Sequence, residues 1–141
     1  MEETLLLRQM LRSAGAVLAG MLVGILLSLG MDAVMRSTAV FPPLGERAAD
    51  IALVWATLYR TAFGVAGSYV TARLAPVRPM LHALVLGFLG LWANVGGTIA
   101  TWNKGPEYGP HWYPIALTVL ALPAAWVGGK LYLLQQAKKG R

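Results

Sequence analysis

The apolar positions of this chain fall into four long runs, at about residues 13–31, 51–72, 81–102 and 112–133. Each is close to the ~20 mostly apolar residues that an α-helix needs to cross a bilayer. Breakers stand between the runs: Phe41-Pro42-Pro43-Leu44-Gly45, then Ala75-Pro76-Val77-Arg78-Pro79, then the stretch from Lys104 to Pro110. Proline has no N–H to donate and restricts the residue before it, so helices end at such places. Short alternating strands of the kind that build a membrane β-barrel are missing. The pattern predicts an all-α fold, an integral-membrane four-helix bundle with residues 1–141 as a single four-span transmembrane domain. Arg8 and Arg12 ahead of the first run resemble a signal-peptide flank, but Asp32, Met35 and Arg36 follow where a small-residue cleavage site would stand. That run is read as a retained span.

Composition agrees with a membrane setting. Hydrophobic residues make up 57% of the chain and charged ones 13%, with mean hydropathy +0.58, whereas soluble domains run nearer 45–50% apolar and 25% charged. The net charge of +6 would suit nucleic acid only if the basic residues formed a stripe or a known motif. They flank the apolar runs instead, so the expected partner is the lipid bilayer and not nucleic acid. With no cysteine, disulfides, thiolate metal sites and cysteine nucleophiles are excluded.

The flanking charges also set an orientation. Arg8, Arg12, Arg73, Arg78, Lys130, Lys138, Lys139 and Arg141 lie at one side, and only Arg36, Arg47 and Lys104 at the other. The positive-inside rule then places both termini and the second loop in the cytoplasm. Trp102, Tyr108, Trp112 and Tyr113 gather at the opposite interface as an aromatic belt. Small residues recur at helical spacing: Ala16, Gly20 and Gly24; Gly64, Gly67, Ser68 and Thr71; Gly90, Ala93 and Gly97; Ala121, Ala125 and Gly129. Such faces let helix backbones approach closely in lipid, within the bundle or against another subunit. Pro123 interrupts the donor ladder of the fourth run and predicts a kink there.

The stretch GPHWYPIALTVLALPAAWVGGKL, residues 109–131, resembles the last helix of a group of small uncharacterised four-span bacterial membrane proteins. The likeness rests on an outer Pro-His step beside a Trp and on the Pro-Ala-Ala-x-x-Gly-Gly-Lys-Leu ending from Pro123 to Leu131. FGVAGSYVTARLAP, residues 63–76, resembles the end of their second helix. This resemblance implies a bacterial inner-membrane, multi-pass protein and brings no functional residues with it.

One residue stands out against the apolar background. Arg60 lies about 13 Å into the second run at 1.5 Å per residue, where an arginine costs roughly 2.5–3.5 kcal/mol and nearly always faces the bundle or a wet cavity. Thr57, Thr61, Gly64, Gly67 and Ser68 share its helical side. Asn94 matches its depth from the same surface and offers an acceptor to a guanidinium that only donates. The candidate polar site is therefore Arg60, Asn94, Thr57 and Thr61, acting either as a packing clasp or as the counter-charge for an anionic solute.

Other polar groups offer less. Glu107, His111 and Trp112 form a candidate outer-interface cluster, but one imidazole and one carboxylate are too few for a closed metal site. His82 is expected to be solvated or bound to lipid phosphate, and Asp32 and Arg36 to form a local pair one helical turn apart. No Gly-rich phosphate loop, HExxH, GxSxG or paired catalytic carboxylates occur. No catalytic residue, cofactor or metal is expected, and the chain is not read as an enzyme. Two functions stay open: a structural, accessory or oligomeric membrane subunit, or a minimal oligomeric transporter or channel for a small anionic solute. The first run lacks the embedded glutamate of small multidrug exporters. The orientation has a direct check. A periplasm-active reporter fused after Arg141 is expected to stay silent, and a bright fusion would reverse the topology.

Overall fold

The structure, a computed structural model, describes residues 1–43, 46–105 and 108–140. It is all-α, with α1 (Glu2–Ser37), α2 (Asp50–Leu74), α3 (Pro79–Thr101) and α4 (Trp112–Lys139). Helices α1, α3 and α4 are long and apolar enough to cross a membrane. Helix α2 is not among them, because Asp50, Arg60, Arg73 and a run of Thr, Ser and Gly dilute its apolar content.

Helix α1 is much longer than its apolar run. Glu2 and Glu3 sit in its first turn and Arg36 in its last, each favourable to the helix dipole, and no proline intervenes. It therefore continues past Met31 to Ser37, which puts Asp32 inside the helix. Its end is closed locally: the Val40 and Phe41 amides donate to the Met35 carbonyl at 3.0 Å, and Ser37 and Thr38 hydroxyls donate to Val34 at 2.9 Å. Of the first breaker, Leu44 and Gly45 lie outside the described residues. Between α2 and α3 only Ala75–Arg78 remain, and Arg78 takes φ 48°, ψ 66°. This left-handed conformation is unfavourable for a side-chain-bearing residue. The turn accepts it to bring α3 back beside α2. Helix α4 runs through Pro123 without interruption to Lys139.

The helices run alternately up and down, with both termini and the 75–78 loop at one end. Helix α2 lies between α1 and α4, and α3 packs mainly on α4. Helices α1 and α3 meet less extensively, with contacts at Ser13–His82 and Gly20–Leu86. Because Ser13 of α1 is level with His82 near the start of α3, residues 2–12 project beyond the bundle.

Burial is inverted relative to a soluble protein. The core is dominated by small residues, Ala16, Ala52, Ala56, Ala72, Ala83, Ala124 and Ala125, with Leu53 and Tyr59 its larger members and Ser68 and Thr71 fully enclosed. The large apolar side chains point outwards instead, as at Leu22, Leu26, Trp55, Leu58, Phe88, Trp92, Ile99 and Val119. Close approach explains this core. A Cβ on Gly67 would stand 2.6 Å from the Gly20 carbonyl oxygen, and one on Gly128 would lie 2.9 Å from the Tyr69 amide and overlap Ser68. Hydroxyls fasten the same contacts: Thr71 Oγ1 donates to the Ala16 carbonyl at 2.9 Å, and Ser68 Oγ reaches the Ala124 carbonyl at 3.4 Å.

The expected small-residue faces hold for α1, α2 and α4 but are rotated on α3. Gly87 and Ala83 meet Ala125 and Gly129 of α4, while Gly90 and Gly97 have open space where a side chain would be. Spacing alone does not distinguish Gly87 from Gly90, which lie three residues apart. The contrast predicts opposite responses. Gly128→Ala should destabilise by about 1–3 kcal/mol through overpacking, whereas Gly96→Ala, with nothing within 4 Å, should be neutral or stabilising. Thermal unfolding in mild detergent checks both.

Candidate functional site

The site lies along the α1–α2 interface, on the loop side of its tightest contact. The two helices touch at Gly20–Gly67 and run antiparallel toward the 38–49 loop. From that contact, Asp32 is about 18 Å along α1 and Arg60 about 10 Å along α2 at 1.5 Å per residue. Helical side chains lean toward their own N-terminus, so Arg60 reaches up and Asp32 reaches down, and the step between them closes. Arg60 Nη2 donates to Asp32 Oδ2 at 2.5 Å, and the Tyr59 hydroxyl donates to Asp32 Oδ1. Asp32 retains 13% side-chain exposure and Arg60 35%.

This pairing corrects the expected one. Asp32 serves Arg60 across the helix interface and makes no ion pair with Arg36 among the described residues. Asn94 is not hydrogen-bonded to Arg60 among the described residues. Its Nδ2 donates to the Leu117 carbonyl at 3.3 Å and ties α3 to α4. Thr57 donates to Leu53 of its own helix at 2.9 Å and lies outside the site.

Arg60, Thr61 and Asn94 nevertheless share one space. A cavity of about 420 Å³ lies above the Gly20–Gly67 contact and draws residues from all four helices. Its walls are mostly apolar, with Met21, Ile25, Leu86 and Leu120 among them, and Asp32, Arg60, Thr61 and Asn94 supply polarity. Two polar atoms of these residues, Arg60 Nε and Thr61 Oγ1, are buried away from the cavity and have no partner among the described residues. Ile25 and Leu29 of α1 and Leu89 and Ala93 of α3 line the cavity yet are exposed, so its mouth lies between α1 and α3.

The outer cluster is organised differently. Glu107 lies outside the described residues. His111 Nε2 is 2.9 Å from the Trp102 carbonyl, an acceptor only, so that nitrogen carries the proton and donates. Its ring stacks on Trp102 at 3.7 Å with 12° between planes. His111 thereby satisfies an orphan carbonyl at the end of α3 and closes the loop into α4. Trp112 packs edge-on against Tyr113. Among the described residues no three His, Asp or Glu side chains converge. At the other end His82 is held internally, by Ser13 Oγ at 2.8 Å and the Arg78 carbonyl at 3.0 Å.

No protein family matches the chain, and no curated protein or solved structure is detectably similar to it. The geometry alone therefore carries the functional reading.

The ion pair yields a sharp expectation. Asp32→Leu leaves a guanidinium without its carboxylate and should cost ~1–3 kcal/mol, less than the ~3–5 of a fully buried pair because Arg60 stays partly exposed. Asp32→Leu combined with Arg60→Leu should recover most of that loss. A double-mutant cycle on unfolding in detergent measures it, and additive losses would show that the pair is not coupled.

Proposed function

We propose that the chain is a four-span protein of the bacterial inner membrane with both termini cytoplasmic, acting as a non-catalytic accessory or oligomeric membrane subunit. The observation that carries this reading is the inverted burial, a core of Ala, Gly, Ser and Thr beneath an outer surface of Leu, Trp, Phe and Ile. In water such a surface would aggregate; in lipid it is the ordinary exterior. Helix α2 serves as the fourth span despite its lower hydropathy. Its polar groups turn inward to Asp32 and to backbone carbonyls, while Trp55 and Leu58 face out. The excess of Lys and Arg at the termini end supports the cytoplasmic side, and the resemblance of residues 109–131 to small four-span bacterial proteins supports the same membrane.

The second contact surface is the outer end of α3, where Gly96 and Gly97 leave the backbone bare. Small residues free of internal contacts favour close packing by another helix, from a second copy or a larger partner. The solute-transport reading has the cavity beside Arg60 in its favour. Against its anionic form stands Asp32, which already neutralises Arg60, so an anion would have to displace a carboxylate.

Two measurements test the proposal. The chain should remain in the membrane pellet after alkaline carbonate extraction. Because the native sequence has no cysteine, Gly97→Cys should form an oxidative cross-link in membranes, to itself or to a partner, while Leu22→Cys, exposed on α1, should not. A strictly monomeric chain with no cross-linked partner would overturn the subunit reading.

A further inference from the structure

We infer that the projecting start of α1 pairs, side by side and parallel, with the same segment of a second copy of this chain. Leu7, Leu11 and Ala14 form the seam, and Glu3 of each copy stands against Arg8 of the other. The inference deepens the oligomeric-subunit reading above by naming the partner, and it rests on the same membrane placement. From Ser13 to Ser37, α1 already rises about 36 Å at 1.5 Å per residue, against a hydrocarbon core of ~30 Å. Residues 2–12 therefore extend beyond the acyl chains, yet the stretch is rich in leucine. Leu5, Leu6, Leu7, Met10 and Leu11 are each between 57% and 69% exposed. Outside lipid such a surface is driven to find a cover. Its helix is preformed, because it continues one that the bundle already holds.

Two independent observations select the face and its occupant. The first is orientation. Ala16 and Gly20 are the buried residues of α1, and on a 3.6-residue period Leu7, Leu11 and Ala14 stand on the opposite side. All three are exposed, so a second copy reaches them without displacing the bundle. The second is charge. The spacing of Thr4, Leu7, Leu11 and Ala14 is that of a and d positions in a coiled coil. In that register Glu3 takes a g position and Arg8 the next e position. Registers that pair Met10 with Leu6 or with Leu7 put Leu7 or Leu11, not a charge, at the e position. A parallel pair sets g against the following e of its partner, so Glu3 meets Arg8 twice, whereas an antiparallel pair sets like charges together. Copies inserted with one topology have parallel α1 helices. Neither Glu3 nor Arg8 has an ion pair within its own chain among the described residues. Within the bilayer the drive disappears, because lipid tails are as apolar as leucine, and Leu22 farther along α1 stays against lipid.

The test uses the full chain in membranes, where the absence of native cysteine makes an introduced one specific. Alkaline carbonate extraction first verifies insertion; release of the chain would overturn the membrane placement and this pairing with it. Thr4→Cys, at a seam position that spares both leucines, should form an oxidative cross-link of twice the chain mass, since facing seam positions come within disulfide reach. Leu5→Cys, as exposed as the seam leucines but on the bundle side of the helix, should not. In the Thr4→Cys background, Glu3→Arg should lower the cross-link about threefold or more, with the larger effect at low salt. Adding Arg8→Glu should restore it, and this exchange keeps the net charge of the segment. A Thr4→Cys cross-link to a different protein would overturn the pairing, as would equal cross-linking at Leu5→Cys or no recovery in the charge exchange. Cross-linking at Gly97→Cys with none at Thr4→Cys would also overturn it, while leaving the subunit reading intact.

Discussion

The close approach of α1, α2 and α4 at Gly20, Gly67 and Gly128 is the constraint from which the rest of the molecule follows. Lipid tails are as apolar as leucine, so nothing drives helices together in a bilayer except packing and interhelical hydrogen bonds. Removing side chains at the contact allows backbone-to-backbone packing, and it places carbonyls where the buried Thr71 and Ser68 hydroxyls reach them. Single bonds of this kind average only ~0.6 kcal/mol in membranes, so the number of well-packed atoms matters more than any one bond. Beyond the contact, residues of all four helices line the cavity.

The Asp32–Arg60 pair belongs to the same α1–α2 interface. Where the backbones touch, long side chains have no room. Farther along, Arg60 and the Tyr59 hydroxyl both reach the Asp32 carboxylate. An ion pair in such a place adds less stability than its Coulomb attraction suggests, because both partners leave water. Its firmer effect is on register: a one-residue slip of α1 along α2 would turn Asp32 by about 100° around its helix and strand both charges.

Much of the helical layout was legible because proline-rich breakers mark three of the boundaries, and the apolar runs between them have the right length. What escaped did so for identifiable reasons. Counting apolar residues stops at Met31, so Asp32 falls outside the span and is read as the helix partner of Arg36 one turn away, not as the partner of Arg60 across the interface. Depth matching selected Asn94 for Arg60 on distance from one surface alone, without the rotation of α3 that turns its amide to Leu117. The same rotation hid the role of Gly87. His111 was weighed for metal chemistry, whereas Trp102 was present in the sequence as an aromatic partner and an α3 terminus in need of a donor. Arg60 itself was readable, since a charge deep in an apolar run requires compensation wherever it sits.

The length of α1 has a mechanical meaning. From Glu2 to Ser37 it is a single helix, about 54 Å at 1.5 Å per residue, and its first three turns project free of the bundle with Leu6, Leu7, Met10 and Leu11 exposed beside Arg8 and Arg12. A stiff rod transmits torque. Gly20 against Gly67 pins that rod in rotation, because any roll would bring a neighbouring side chain of α1 onto the Gly67 backbone. The projecting end and the Asp32 carboxylate thus stand some 40 Å apart on one helix, on either side of a contact that fixes which way both face.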